Sequence, residues 1–261
     1  MHFPKKLLKG VLSERAVALA RRHFSPILSR VYAGNLHALA AIWRCDKEGL
    51  HSYANHYQKH FQSRRHAHLN LLEIGIGGYN HPTKGGASLR MWKYYFPNAQ
   101  VHGIDIYDKK SLEEHRITIH QGSQEDESFL REVVENMGSL DIVIDDGSHI
   151  NTHVIKSFEV LFPLLSEGGI YIIEDMQTAY WPSYGGKLSP KDPGYSMVDF
   201  LKERIDGLNH LDFLIEGYAP TLFDKNISAM HFYHNLCFIE KSKNREVAHW
   251  TEDKEALRTP M

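Results

Sequence analysis

The sequence predicts an α/β fold on a mostly parallel sheet, and three observations predict it. Short apolar runs alternate with segments of helical periodicity from residue 69 onward. The first run, Leu69–Ile76, ends in a cluster of glycines. Acidic residues close three of the later runs, at Asp105, at Asp145-Asp146 and at Glu174-Asp175.

In chain order, Leu69–Ile76 fits a strand buried on both faces. Ser88–Phe96 has helical spacing and is closed by Pro97. Val101–Ile106 reads as the second strand and Ile117–His120 as a short third. Glu127–Met137 is a helix, Leu140–Ile144 the fourth strand and Thr152–Leu165 a further helix. The turn pair Gly168-Gly169 introduces the fifth strand, Gly168–Glu174. Strands separated by helices of this length form βαβ units and a parallel sheet. Right-handed crossovers then line up the carboxyl ends of the strands along one edge, where ligands bind. Met176–Gly194, rich in Gly, Pro, Tyr and Ser, reads as a loop over that edge, and Tyr195–Gly207 as a helix. Leu211–Gly217 and Met230–Lys241 are expected to be two more strands that finish the sheet antiparallel.

Composition narrows the function classes. Apolar residues make up 42% and charged residues 24% of 261, which suits a soluble globular protein. No apolar run approaches the ~18 residues of a membrane span, so no integral membrane segment is expected. Cys45 and Cys237 are too few for a disulfide framework, and a cytoplasmic, reducing setting is the expectation. A net charge of −2 gives no argument for nucleic acid as a partner. That charge is unevenly spread. Residues 1–45 hold eight basic side chains and one acid, a net +7, which leaves −9 for the rest. This arm has apolar residues at helical spacing, Leu7, Leu8, Val11, Val17, Leu19 and Ala20. It reads as a helical extension packed on the body or on another subunit of a homo-oligomer, as a peripheral membrane-surface helix, or as a transit peptide. Asp46–His60 is polar and histidine-rich without a strand pattern. The expected division is an arm and cofactor-side cap over 1–60 and a catalytic domain over 61–261.

The glycines of Glu73-Ile74-Gly75-Ile76-Gly77-Gly78 allow a sharp turn and close approach of a ligand to the backbone. Asp105, 28 residues after Gly77, stands where an acid accepts both hydroxyl hydrogens of a ribose. The dinucleotide pattern Gly-x-Gly-x-x-Gly fails at Asn80, which favours S-adenosylmethionine over a nicotinamide dinucleotide. Asp145-Asp146 and Glu174-Asp175 end neighbouring strands, and converging carboxylates without cysteine suit a hard cation such as Mg²⁺. Helix capping by Asp146 or Ser148 is the competing reading. His149, three residues after Asp146, suits a proton acceptor near neutral pH. His51, His56, His60, His231 and His234 have weaker claims.

The runs Leu71–Tyr79, Gly86–Trp92, Gly103–Ile106, Asp145–His149 and Glu174-Asp175 together resemble class I methyltransferases, and more closely the Mg²⁺-dependent sugar O-methyltransferases. The resemblance covers roughly residues 46–240. By size the chain is expected to be similar to the polysaccharide-modifying members and to lack the extra N-terminal domain of the macrolide-modifying ones. The resemblance implies a Rossmann-like, mostly parallel seven-stranded sheet with an antiparallel final strand and, in this chain, a helical N-terminal arm. It implies S-adenosylmethionine and Mg²⁺ as cofactors, and a saccharide or glycoside as acceptor. Glu73, Ile74, Gly75, Ile76, Gly77, Gly78 and Tyr79 would wrap the methionine and ribose of the cofactor. Ser88 would meet its carboxylate, Asp105 its ribose, and Ser123 and Gln124 its adenine. Asp146, Glu174 and Asp175 would ligate the metal, and His149 would be the base. On the loop after the fifth strand, Tyr180, Trp181 and Tyr184 are expected to stack on the sugar. A non-sugar diol such as a catechol, or water in a metal-dependent hydrolase, are the alternative acceptors.

Overall fold

The computed structural model describes residues 24–246. The apolar spacing read over residues 7–20 lies outside them. The chain divides into two compact units. One holds the described residues up to Ala67 together with Gly86–Asn98; the other holds His68–Gly85 and the described residues from Ala99 onward.

The first unit is helical. Residues 24–31 form α1, followed by α2 (Leu36–Trp43), α3 (Ala54–Phe61) and α4 (Ala87–Tyr95). Asn35 starts α2 by accepting from the amide of Ala38, and Arg44 ends it in the left-handed conformation. Aromatic rings form the core. Trp92 lies 4.9 Å from Tyr57 and 5.8 Å from Phe61, and Phe61 lies 5.2 Å from Phe96. Each buried ring of this size contributes about 1.5–3 kcal/mol through burial alone. Within α4, Ser88 is buried.

The second unit carries a seven-stranded sheet. Its strands are β1 (Asn70–Ile74), β2 (Gln100–Asp105), β3 (Ile117–Gln121), β4 (Ile142–Asp145), β5 (Ile170–Glu174), β6 (Ile227–Tyr233) and β7 (Leu236–Lys241), in the order β3-β2-β1-β4-β5-β7-β6. The first five are parallel; β7 runs antiparallel to β5, and β6 antiparallel to β7. The order reverses between β1 and β4, and their carboxyl ends frame the crevice that such sheets use for ligands. One face of the sheet packs on α5 (Glu127–Met137), α6 (Asn151–Leu161), α7 (Met197–Gly207) and α8 (Leu222–Asn226). Phe158 anchors that layer, 4.9 Å from Tyr171 and 5.5 Å from both Phe200 and Phe223.

Two expectations about the tail change. Leu211–Gly217 is not a strand: His210–Asp212 is a 3₁₀ turn and the residues after it are irregular. Met230–Lys241 is not one strand but a hairpin with most of β6 and all of β7, turning at His234-Asn235 with Asn235 at φ 60. A two-residue turn of this kind needs left-handed backbone, which asparagine tolerates. The polar stretch before residue 60 contains α3, whose inward residues Ala54, Tyr57 and Phe61 follow helical spacing.

Candidate active site

β1 ends at Ile74 and the chain turns through Gly75, Gly77 and Gly78, all at positive φ. A Cβ at Gly75 would lie 2.1 Å from the Asp146 carbonyl oxygen, and one at Gly78 would lie 2.3 Å from that of Lys84. The loop is therefore closed on itself and on the end of β4. Lys109, fully buried, holds it from below: its Nζ donates to the carbonyls of His81 (2.9 Å) and Lys84 (3.1 Å). Sequence reading gave no sign of this staple. Asp105 ends β2 and accepts from the amides of Ile76 (3.2 Å) and Tyr107 (2.9 Å), which fixes its carboxylate beside the glycine turn. Glu73 and Ile76 are buried; Tyr79 stands out into solvent. The resulting cradle, with bare backbone and one held carboxylate at its rim, fits an adenosine-type ligand.

At the ends of β4 and β5 the structure brings together Asp146, His149 and Asp175, each offering a ligand atom within 4.8 Å of the others. His149 Nε2 lies 3.8 Å from Asp175 Oδ2. Both residues adopt left-handed backbone, His149 at φ 56 and Asp175 at φ 53. Such conformations cost of order 1 kcal/mol each in a non-glycine residue and recur where geometry serves a site. Glu174, expected with them, is not one of the three; it is buried in β5. Successive side chains of a strand point to opposite faces, and the chain leaves the strand only at Asp175. Asp146 and Asp175 offer hard oxygen donors that fit a divalent cation, and the imidazole of His149 stands beside them, partly exposed.

The neighbouring Asp145 has a different role in the structure. It is buried in β4, where Ser157 and Tyr171 donate hydroxyl hydrogens to it and Gln124 its amide, at 3.3 Å. Burial pushes the Asp145 carboxyl above the ordinary range, opposed by Ser157, His149 and Tyr171. Gln124 also accepts from the Ser148 amide at 2.8 Å. Its side chain thus ties the segment after β3 to the Asp146–His149 loop. Ser123 receives the amide of Glu125 at 3.2 Å. Beside them, His153 links Ser148 Oγ (3.0 Å) to Glu125 (3.0 Å). Neither His153 nor Glu125 was singled out in the sequence, since only the fold makes them neighbours.

The chain is 47% identical over 198 residues to mycinamicin VI 2''-O-methyltransferase of Micromonospora griseorubida, covering 76% of this chain and 50% of that protein. It is 42% identical over 210 residues to 8-demethyl-8-alpha-L-rhamnosyl tetracenomycin-C 2'-O-methyltransferase of Streptomyces olivaceus, covering 80% and 55%. The solved MycE methyltransferase from the mycinamycin biosynthetic pathway, in complex with Mg and SAH, matches with a TM-score of 0.80 and 44% identity, over 86% of this chain and 59% of that one. Its relatives are sugar O-methyltransferases. The seven-stranded sheet with its antiparallel end is the methyltransferase fold of that neighbour. The chain spans about half the length of the curated relatives it matches. No family model matches it.

After β5, the segment corresponding to the expected loop forms two 3₁₀ turns, Met176–Tyr180 and Pro182–Tyr184. Trp181 and Tyr184 lie 5.8 Å apart, and Tyr180 and Trp181 remain exposed. Gly186 donates to the Trp181 carbonyl and Lys187 to that of Ala179, which folds the segment back on itself. Lys187, nearly buried, pairs with Asp199 of α7 at 2.7 Å. Although partial burial opposes it, the bonds from Lys187 and Ser196 hold the Asp199 carboxyl far below the ordinary carboxylate range.

Proposed function

We propose that this chain is an S-adenosylmethionine- and Mg²⁺-dependent O-methyltransferase that acts on a hydroxyl of a sugar, free or within a saccharide or glycoside. The observation that carries the reading is the meeting of Asp146, His149 and Asp175 at the strand ends, next to a glycine turn locked against Asp146. S-adenosylmethionine supplies an activated methyl group, and a divalent cation supplies Lewis acidity that lowers the pKa of a sugar hydroxyl.

The chain's own residues do the rest. Glu73 to Tyr79 shape the cradle for the methionine and ribose, Asp105 accepts from the ribose hydroxyls, and Ser123 stands on the adenine side. Gln124 borders the adenine side while its amide steadies Asp145 and Ser148. Asp146 and Asp175 hold the cation, and Glu174, the last residue of β5, is the third ligand of this reading. His149 takes the proton from the attacking oxygen on a ring nitrogen. Tyr180, Trp181 and Tyr184 offer faces on which a sugar ring stacks. Holding acceptor and donor in line accounts for most of the gain, because the methyl donor needs little further activation. The same reading includes assembly with further copies of the chain in the cytoplasm, with no nucleic acid among the partners and with peripheral membrane contact through the basic arm. No helix of the described residues is long and apolar enough to cross a membrane.

The test is transfer of labelled methyl from S-adenosylmethionine to methyl rhamnoside, methyl mannoside and mycinamicin VI. Turnover should be abolished by EDTA and restored by Mg²⁺. His149→Ala should lower kcat by roughly 10²–10⁴-fold at unchanged S-adenosylhomocysteine affinity. Transfer that ignores EDTA, or full activity of the His149 variant, contradicts the reading.

A further inference from the structure

Asn151 lies two residues after His149, at the start of α6, and is fully buried. Its side-chain amide makes three hydrogen bonds. Nδ2 donates to the carbonyls of Thr178 (3.1 Å) and Tyr184 (2.9 Å), and Oδ1 accepts from the amide of Met197 (2.8 Å). An asparagine amide has two donor hydrogens, and both are spent on the aromatic segment. The two carbonyls bracket Tyr180 and Trp181 in sequence. The other bonds described above tie that segment to itself or to α7; Asn151 alone among these ties it to the helix that follows His149.

We propose that Asn151 is a positioning residue that sets the Trp181–Tyr184 wall at a fixed distance from His149, so that an acceptor stacked on the wall presents its hydroxyl to the imidazole. The proposal rests on the methyltransferase reading above. Buried amide bonds of this kind are rigid when complete, and removing the Asn151 side chain takes a donor from each of the two carbonyls and the acceptor from the Met197 amide, while the Thr178 carbonyl keeps only its bond from Trp181. The wall is accordingly pre-organised rather than assembled around the acceptor, which spares the ordering cost of binding.

A double-mutant cycle tests this on the full-length chain, using the glycoside turned over fastest in the screen above. Asn151→Ala should raise the acceptor KM about tenfold or more. Calorimetry should show unchanged S-adenosylhomocysteine affinity. Trp181→Ala should raise the same KM, and the double variant should be no worse than the poorer single one, because Asn151 acts through the wall. Asn151→Asp keeps the bond from Met197 but turns a carboxylate toward two carbonyls. It should therefore repeat the KM defect with the start of α7 intact, and it serves where the alanine variant does not fold. Additive KM effects, an unchanged acceptor KM, or loss of S-adenosylhomocysteine binding in both Asn151 variants would overturn the proposal. Absence of methyl transfer by the wild-type chain would instead remove the reading beneath it.

Discussion

Gly75 shows how closely the cofactor cradle and the acidic cluster are joined. Its backbone at φ +89 suits glycine alone, and an added Cβ would meet the Asp146 carbonyl at 2.1 Å. Gly77 has a similar φ of +74, but nothing stands within 4 Å of its added Cβ. Gly75→Ala should therefore weaken S-adenosylhomocysteine binding by more than tenfold and disturb the Asp146 loop. Gly77→Ala should lose clearly less, about the 1 kcal/mol of a left-handed alanine. Calorimetry on the two variants checks the ranking, and equal losses would contradict it. At this scale Asp146, His149 and Asp175 were legible because strand ends put chemistry at predictable places. Asn151, Lys109 and His153 were not. An asparagine at a helix start reads as a cap, and the identity of its distant partners is set by packing that no local pattern encodes.

On the edge pair β2–β3, His102 and His120 stack with ring nitrogens 3.2 Å apart. Burial pulls His102 down to about 4, with help from His120. Burial also lowers His120, and Lys110 adds to this while Glu113 opposes it. Both rings are therefore neutral in the folded protein at pH 7, one donating and the other accepting. The unfolded chain takes up protons near 6.5 and the folded one does not, so stability is complete above that value and declines as pH falls from 6.5 toward 4. Thermal melts at pH 7.5 and pH 5 should differ in Tm, and His102→Gln should shrink the difference; an undiminished difference would count against the pair. The elements themselves were mostly legible, because β1 to β5 alternate with helices and are apolar along their length. The tail was not. Leu211–Gly217 is apolar enough for a strand but pairs with none, and β6 and β7 finish the sheet as a hairpin whose turn hides inside one apolar run.

For the whole molecule, the sequence placed the glycine turn, the ribose acid and the acidic strand ends on one edge of one sheet, and that arrangement follows from parallel topology alone. The grouping of Gly86–Asn98 with the N-terminal helices has no local signature; it comes from rings at Trp92 and Phe96 that pack on Tyr57 and Phe61, and from the Tyr95 hydroxyl, which accepts from Gln58. The account as a whole depends on a divalent ion being held at the β4 and β5 ends. The direct measurement is titration of the full chain with Mn²⁺, a paramagnetic stand-in for Mg²⁺, in the presence of S-adenosylhomocysteine, with free ion read by electron paramagnetic resonance. The account predicts one ion bound per chain, displaced by Mg²⁺ and lost in Asp146→Asn at unchanged S-adenosylhomocysteine affinity. No bound ion in the wild-type chain, or equal binding by the Asp146 variant, would contradict it.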